Sequence, residues 1–157
     1  MKIQITQKKI SAFTVSGITV RTRNQDEADP SKAKLSAHWG NFFSSGIAEK
    51  IPHRLQDSPV YGMYSNYESD FNGHYDVTAG VAVSAPSDEF KTITVPEGTY
   101  MVFESKGAMP QVVIEVWTKI WQFFQENPHI KRKYITDFET YLGNEEISVA
   151  IGIEDNQ

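Results

Sequence analysis

The chain carries an internal repeat, and a repeat constrains a fold more tightly than any single motif. Tyr61-Gly62-Met63-Tyr64 resembles Phe138-Glu139-Thr140-Tyr141 at an offset of 77 residues. Trp39 and Phe43 match Trp117 and Trp121 at an offset of 78, and residues 75–83 parallel the closing segment 147–153. Each half then reads as strand, strand, helix, strand, strand, an α+β plan. Such a duplicated ββαββ unit is expected to pair its halves, about 1–84 and 85–157, around a pseudo-two-fold axis. The cleft between them is a natural ligand site.

Hydrophobic period supplies the elements. Val113, Val116, Trp117, Ile120, Trp121 and Phe124 recur at helical spacing, so a helix is expected from near Pro110 to just before Pro128. An earlier helix is expected to open at Asp29-Pro30, an N-cap followed by an N1 proline, with Leu35, Trp39, Phe42, Phe43 and Ile47 along its apolar face. Strands are expected at 10–22, 75–83, 134–142 and 147–153. Residues 90–105 read as two more, broken by the turn signal Pro96-Glu97-Gly98.

At 157 residues the chain is long enough to bury a sizeable core as one domain without disulfides or metals. It has no cysteine, which excludes disulfides, thiolate catalysis and Cys-based zinc sites. His38, His53, His74 and His129 are scattered without ligand spacing, so no metal or other cofactor is expected. The net charge of -5 argues against direct binding of nucleic acid. No apolar run approaches the length of a membrane span, and the N-terminus lacks the apolar stretch of a signal peptide, so a cytoplasmic protein is expected. There is no nucleophile elbow and no phosphate loop. Lys131-Arg132-Lys133 reads as a solvated loop, and Asp57, Glu68, Asp70, Asp76 and Asp88 as loop and surface charge.

Glu139 is the residue that could carry chemistry. Strand alternation puts it on one face with Ile135, Asp137 and Tyr141, while its repeat counterpart is Gly62. A carboxylate facing a core either raises its pKa or awaits a cation. Alternation equally allows Glu139 to face solvent on an edge strand or to pair with a lysine or arginine. The aromatic content is high, with three Trp, seven Tyr and nine Phe. Trp39, Phe43, Trp117 and Trp121 are expected on the inward faces of the two helices, where core packing is the ordinary role of such residues. Tyr64 and Tyr141, at matched strand positions, are the candidates for pocket hydroxyls.

In order along the chain, these segments resemble the GyrI-like effector-binding family, which includes ligand domains of multidrug-responsive transcription regulators. The likeness runs from about Ile3 to Ile153. It rests on Val15-Ser16-Gly17, the Leu35-to-Phe43 helix, Tyr61-Gly62-Met63-Tyr64-Ser65-Asn66-Tyr67-Glu68, Tyr75-to-Gly80, Pro96-to-Phe103, Val113-to-Phe124 and Phe138-Glu139-Thr140-Tyr141. The resemblance implies an SHS2-like tandem with a ligand cleft between its halves. It also implies a pocket-facing Glu139 that meets the positive charge of a bulky lipophilic cation, such as a cationic drug or dye. Trp39, Phe43, Tyr64, Trp117, Trp121, Tyr141 and Phe103 are the aromatic candidates for the pocket lining. A stand-alone, non-enzymatic binding module is expected, with no DNA-binding segment of its own. Two other readings stay open: a hydrolase of small electrophiles using Glu139 as general base, and a factor that binds a protein partner such as a topoisomerase. A second copy of the chain is the further partner to consider.

Overall fold

The computed structural model describes residues 3–155. Its strands and helices follow the order of the repeat. They are β1 (Gln4–Ile10), β2 (Phe13–Thr22), α1 (Asn24–Glu27), α2 (Leu35–Ser44), α3 (Ile47–Lys50), β3 (Val60–Ser65) and β4 (Tyr75–Ala82) in the first part. The second part has β5 (Lys91–Val95), β6 (Gly98–Lys106), α4 (Gln111–Glu126), β7 (Thr136–Tyr141) and β8 (Glu146–Gly152). The fold is α+β, built on one eight-stranded antiparallel sheet in the order β1-β6-β8-β7-β3-β4-β2-β5.

Two features of that order shape the molecule. The opening strand of each repeat lies on the other repeat, β1 against β6 and β5 against β2, so the two halves exchange strands. Yet β1 and β2 are joined through residues 11 and 12 alone, and β5 and β6 through 96 and 97, although each pair is separated by several strands in the sheet. Connections of two residues span only about 10 Å, so the sheet must curl until its far ends meet. The space enclosed by the curl is filled by Val15, Met63, Val95, Tyr100, Val102, Phe138 and Ala150, with Phe13 reaching both Tyr61 and Phe138. Close backbone approach assists the bend: a Cβ on Gly17 would lie 1.9 Å from the Ala79 carbonyl oxygen.

The helices cover the other face. α4 packs Val112, Val116 and Ile120 on Met101, Phe103, Ile147, Val149 and Ile151. α2 and α3 pack Phe42, Ala48 and Ile51 on Ala79, Val81 and Val83. Each helix thus covers its own half, and the junction of β3 with β7 lies between them.

Several expectations need correction. The first long helix starts at Leu35, not at Asp29-Pro30. Asp29 is consumed in a local turn, accepting from the Ser31 amide and hydroxyl. The free amides of Lys34 and Leu35 at the helix start are met instead by the Glu27 carboxylate, which Thr22 holds in place. The helix also ends before Ile47, because Gly46 adopts a left-handed conformation at φ 60°. Phe43 turns outward and is 63% exposed, since Phe42 takes the buried position beside it. The opening strand of the plan, β1, carries no periodic signal of its own, because its sequence, QITQKKI, has few apolar residues. Asp76 is buried rather than a surface charge, paired with Arg21 and Lys91 and bonded by Asn66. Arg132 is no solvated loop residue: its side chain is 11% exposed and pairs with Asp137.

Candidate functional site

Gly62 and Glu139 are equivalent in the repeat, and they are also register partners across the β3–β7 junction. A residue paired with its own repeat equivalent lies on the pseudo-two-fold axis. Side chains directly opposite on one face of an antiparallel pair start only about 5 Å apart, so two large groups there compete for one space. A Cβ on Gly62 would sit 2.6 Å from Glu139 Oε1 and 2.9 Å from Trp39 Cζ2. The carboxylate fits because its counterpart has no side chain.

Around Glu139 the symmetry is otherwise well kept. Tyr64 from β3 and Tyr141 from β7 flank it, and their hydroxyls donate to Oε2 at 3.1 Å and to Oε1 at 2.8 Å. The Tyr64 ring packs against Trp117 of α4 with centroids 5.2 Å apart, and Tyr141 against Trp39 of α2 at 5.3 Å. Trp117 adds a third donor, Nε1 to Oε2 at 2.7 Å.

Glu139 is 2% exposed, and among the described residues no cation pairs with it. Burial raises its carboxyl above the usual carboxylate range, and the bonds from Trp117, Tyr141 and Tyr64 offset this only in part. Burial likewise holds the Tyr64 and Tyr141 hydroxyls well above the usual phenol range, with the Glu139 charge adding to it, so both remain donors.

A cavity of about 600 Å³ opens from this point toward α4. Glu139, Tyr64, Tyr67 and Tyr75 line it from the sheet and the loop after β3. Val113, Ile114, Trp117, Thr118 and Trp121 line it from α4. Asn24, Glu27 and Leu35 close one side, and Phe71 and Arg132 complete the wall. Tyr75 is fixed by donating to Asn24 Oδ1 at 2.7 Å, and Phe71 meets the edge of Trp121 at 5.4 Å.

The eight candidate residues therefore divide. Glu139, Tyr64, Trp117 and Trp121 line the cavity. Tyr141 and Trp39 stand behind the carboxylate, the first bonded to it and the second packed on Tyr141. Phe43 lies outside on α2, stacked on Trp39. Phe103 lies wholly in the core beneath α4, against Phe123 and Phe124. Reading from sequence missed Tyr67, Tyr75, Phe71, Asn24, Glu27 and Arg132 as cavity residues. Val113, Ile114 and Thr118 were recoverable, because they share a helical face with Trp117 and Trp121. Nothing local marks Asn24 or Glu27, which arrive through the fold.

Among the described residues no group of three or more His, Asp or Glu is placed to hold a metal ion, and no helix is long and apolar enough to cross a membrane. The family model described as integron-associated effector binding protein matches residues 5–153. The integron cassette protein VCH_CASS2, from the mobile metagenome of Vibrio cholerae, is 37% identical with a TM-score of 0.84, over 96% of this chain and 95% of that one. SAV2435, solved bound to tetraphenylphosphonium, has the same fold at 18% identity and a TM-score of 0.78, over 98% of this chain and 94% of its own. YobU of Bacillus subtilis (strain 168), which carries the name of a transcriptional regulator, is 27% identical over 133 residues, 82% of this chain and 81% of that protein. By sequence and by fold, the chain belongs to the GyrI-like integron-associated effector binding proteins.

Proposed function

We propose that the protein reversibly binds bulky lipophilic cations, with the positive centre held at Glu139 and the apolar body against Trp117, Trp121, Tyr64 and Tyr75. The observation that carries this reading is a nearly inaccessible carboxylate with three neutral donors and, among the described residues, no cationic partner, at the edge of an aromatic cavity. Its charge is solvated by dipoles but not neutralised, so a cation that brings its own apolar surface answers both needs. The size of the cavity suits a drug-sized molecule. SAV2435 with its tetraphenylphosphonium supports the same class of ligand. Binding is preferred to catalysis because the groups bonded to Glu139 are one tryptophan and two tyrosines held protonated by burial, none of them a second acid or base tuned to ionise near neutral pH.

The test is a tryptophan-fluorescence titration with tetraphenylphosphonium and, as a neutral comparison, triphenylphosphine oxide. Saturable quenching by the cation is expected to weaken about ten- to a hundredfold in Glu139→Gln, while the neutral compound responds equally in both proteins. Equal affinity of both proteins for the cation would remove Glu139 from the reading. The same titration has a pH signature. The folded-state pKa of Glu139 is raised, so ionisation costs the empty protein stability as pH climbs through the ordinary and then the raised value. A bound cation favours the ionised form. Cation affinity should therefore fall as pH drops through the raised value and stay flat in Glu139→Gln.

A further inference from the structure

Arg132 lines the same cavity, and its guanidinium is fixed in place. Nη2 donates to Asp137 Oδ2 at 2.8 Å, and the group lies over the Tyr134 ring, 4.4 Å from its centroid. Asp137 is fully engaged: the Tyr67 hydroxyl donates to Oδ2 at 2.5 Å and the Gly152 amide to Oδ1 at 2.8 Å. It also neutralises the arginine charge. The guanidinium nevertheless has five N–H donors. Among the described residues Asp137 is its short-range acceptor and the Tyr134 side chain a looser one; Nε is shut from solvent without an acceptor, so the donors open to a ligand are those of the two terminal nitrogens. Spare donors on so buried a side chain are costly unless something meets them.

Spacing relates this group to Glu139. Asp137 and Glu139 are two positions apart on β7, so they share a face about 7 Å apart. The cavity thus combines the Glu139 carboxylate with the Arg132 guanidinium, which sits one hydrogen bond beyond Asp137.

We infer that the cavity selects cations that carry a neutral oxygen acceptor, a carbonyl or ester, with Glu139 meeting the charge and Arg132 the oxygen. This rests on the reading of the cavity as a cation site and names the ligand class within it. A neutral acceptor is favoured over a carboxylate because Asp137 already cancels the arginine charge. A ligand carboxylate would face Asp137 and Glu139 with no net positive charge to offset them.

Three probes separate the contributions: heptyltriphenylphosphonium, (4-carboxybutyl)triphenylphosphonium and the methyl ester of the latter. Their affinities are compared in the wild type and in R132K, whose single ammonium is taken up by Asp137 and has no fork of donors to spare. The ester-to-heptyl affinity ratio is expected to fall about three- to tenfold in R132K, the heptyl cation serving as the internal reference for any change in the cavity wall itself. In the wild type the free carboxylate should bind more weakly than its ester. Should R132K melt below the assay temperature, Arg132→Gln combined with Asp137→Asn removes both charges together and serves the same comparison. An unchanged ester-to-heptyl ratio overturns the inference while leaving the cation site standing. Failure of the heptyl cation to bind the wild type overturns the cation site itself, and the inference with it.

Discussion

The two repeats present the same aromatic pair to the same carboxylate, yet the cavity beside it lies on the α4 side. On the α4 side Trp117 packs on Tyr64, and on the α2 side Trp39 packs on Tyr141, at nearly equal distances. The difference lies in the connections. Twelve residues, 23–34, join β2 to α2 and include α1, whereas residues 107–110 join β6 to α4. Residues 66–74 join β3 to β4, against 142–145 between β7 and β8. The longer connections of the first repeat supply Asn24, Glu27, Tyr67 and Phe71 as walls. On the other side Trp39 fills the space that Gly62 leaves, and Phe43 ends in solvent. A near-symmetric scaffold becomes one-sided through its loops, together with the Gly62–Glu139 difference at the axis.

The comparison breaks most severely at the axis. Gly62→Glu would restore the symmetry by placing a second carboxylate where a Cβ already meets Glu139 and Trp39. The cost should be on the order of 3–5 kcal/mol, from a crowded and unpaired buried charge. Urea denaturation measures it, and a midpoint close to wild type would show that the axis has more room than described. A middle effect should separate the two tryptophans. Trp117→Phe removes a donor to Glu139 and part of the cavity wall, so cation affinity should drop roughly tenfold. Trp39→Phe should cost about 1–2 kcal/mol of stability and leave affinity within about twofold. Equal affinity losses from the two changes would mean that the ligand lies across the axis rather than on one side. The smallest contrast is between their neighbours. Phe43→Ser should change stability by no more than about 0.5 kcal/mol and affinity not at all. Trp121→Ser, made at a cavity residue, should weaken the cation about three- to tenfold.

The regular elements were the legible part. The period of α4, the turn at Pro96-Glu97-Gly98 and the alternation through Asp137, Glu139 and Tyr141 all appear at their expected places, because each is a local pattern set by backbone geometry. The repeat also made Glu139 and Gly62 equivalent positions, while their pairing across β3 and β7 came from the strand register. Two of the misread parts share one cause: the expected partner was already taken up by another residue. Asp29 turned to Ser31, so Glu27 capped α2; Arg132 found Asp137, so a run of charges became partly buried.

From sequence alone, the duplication determined the α+β plan, the equivalence of a carboxylate in one half to a glycine in the other, and the matched aromatic residues. Only the tertiary structure decided which side is hollow, that the opening strands are exchanged, and that Phe103 packs in the core while Tyr75 and Arg132 reach the cavity. The physical reason is range. Periodicity reports which face of an element is buried. What buries it depends on loop lengths and on contacts between residues far apart in the chain, and those leave no periodic trace.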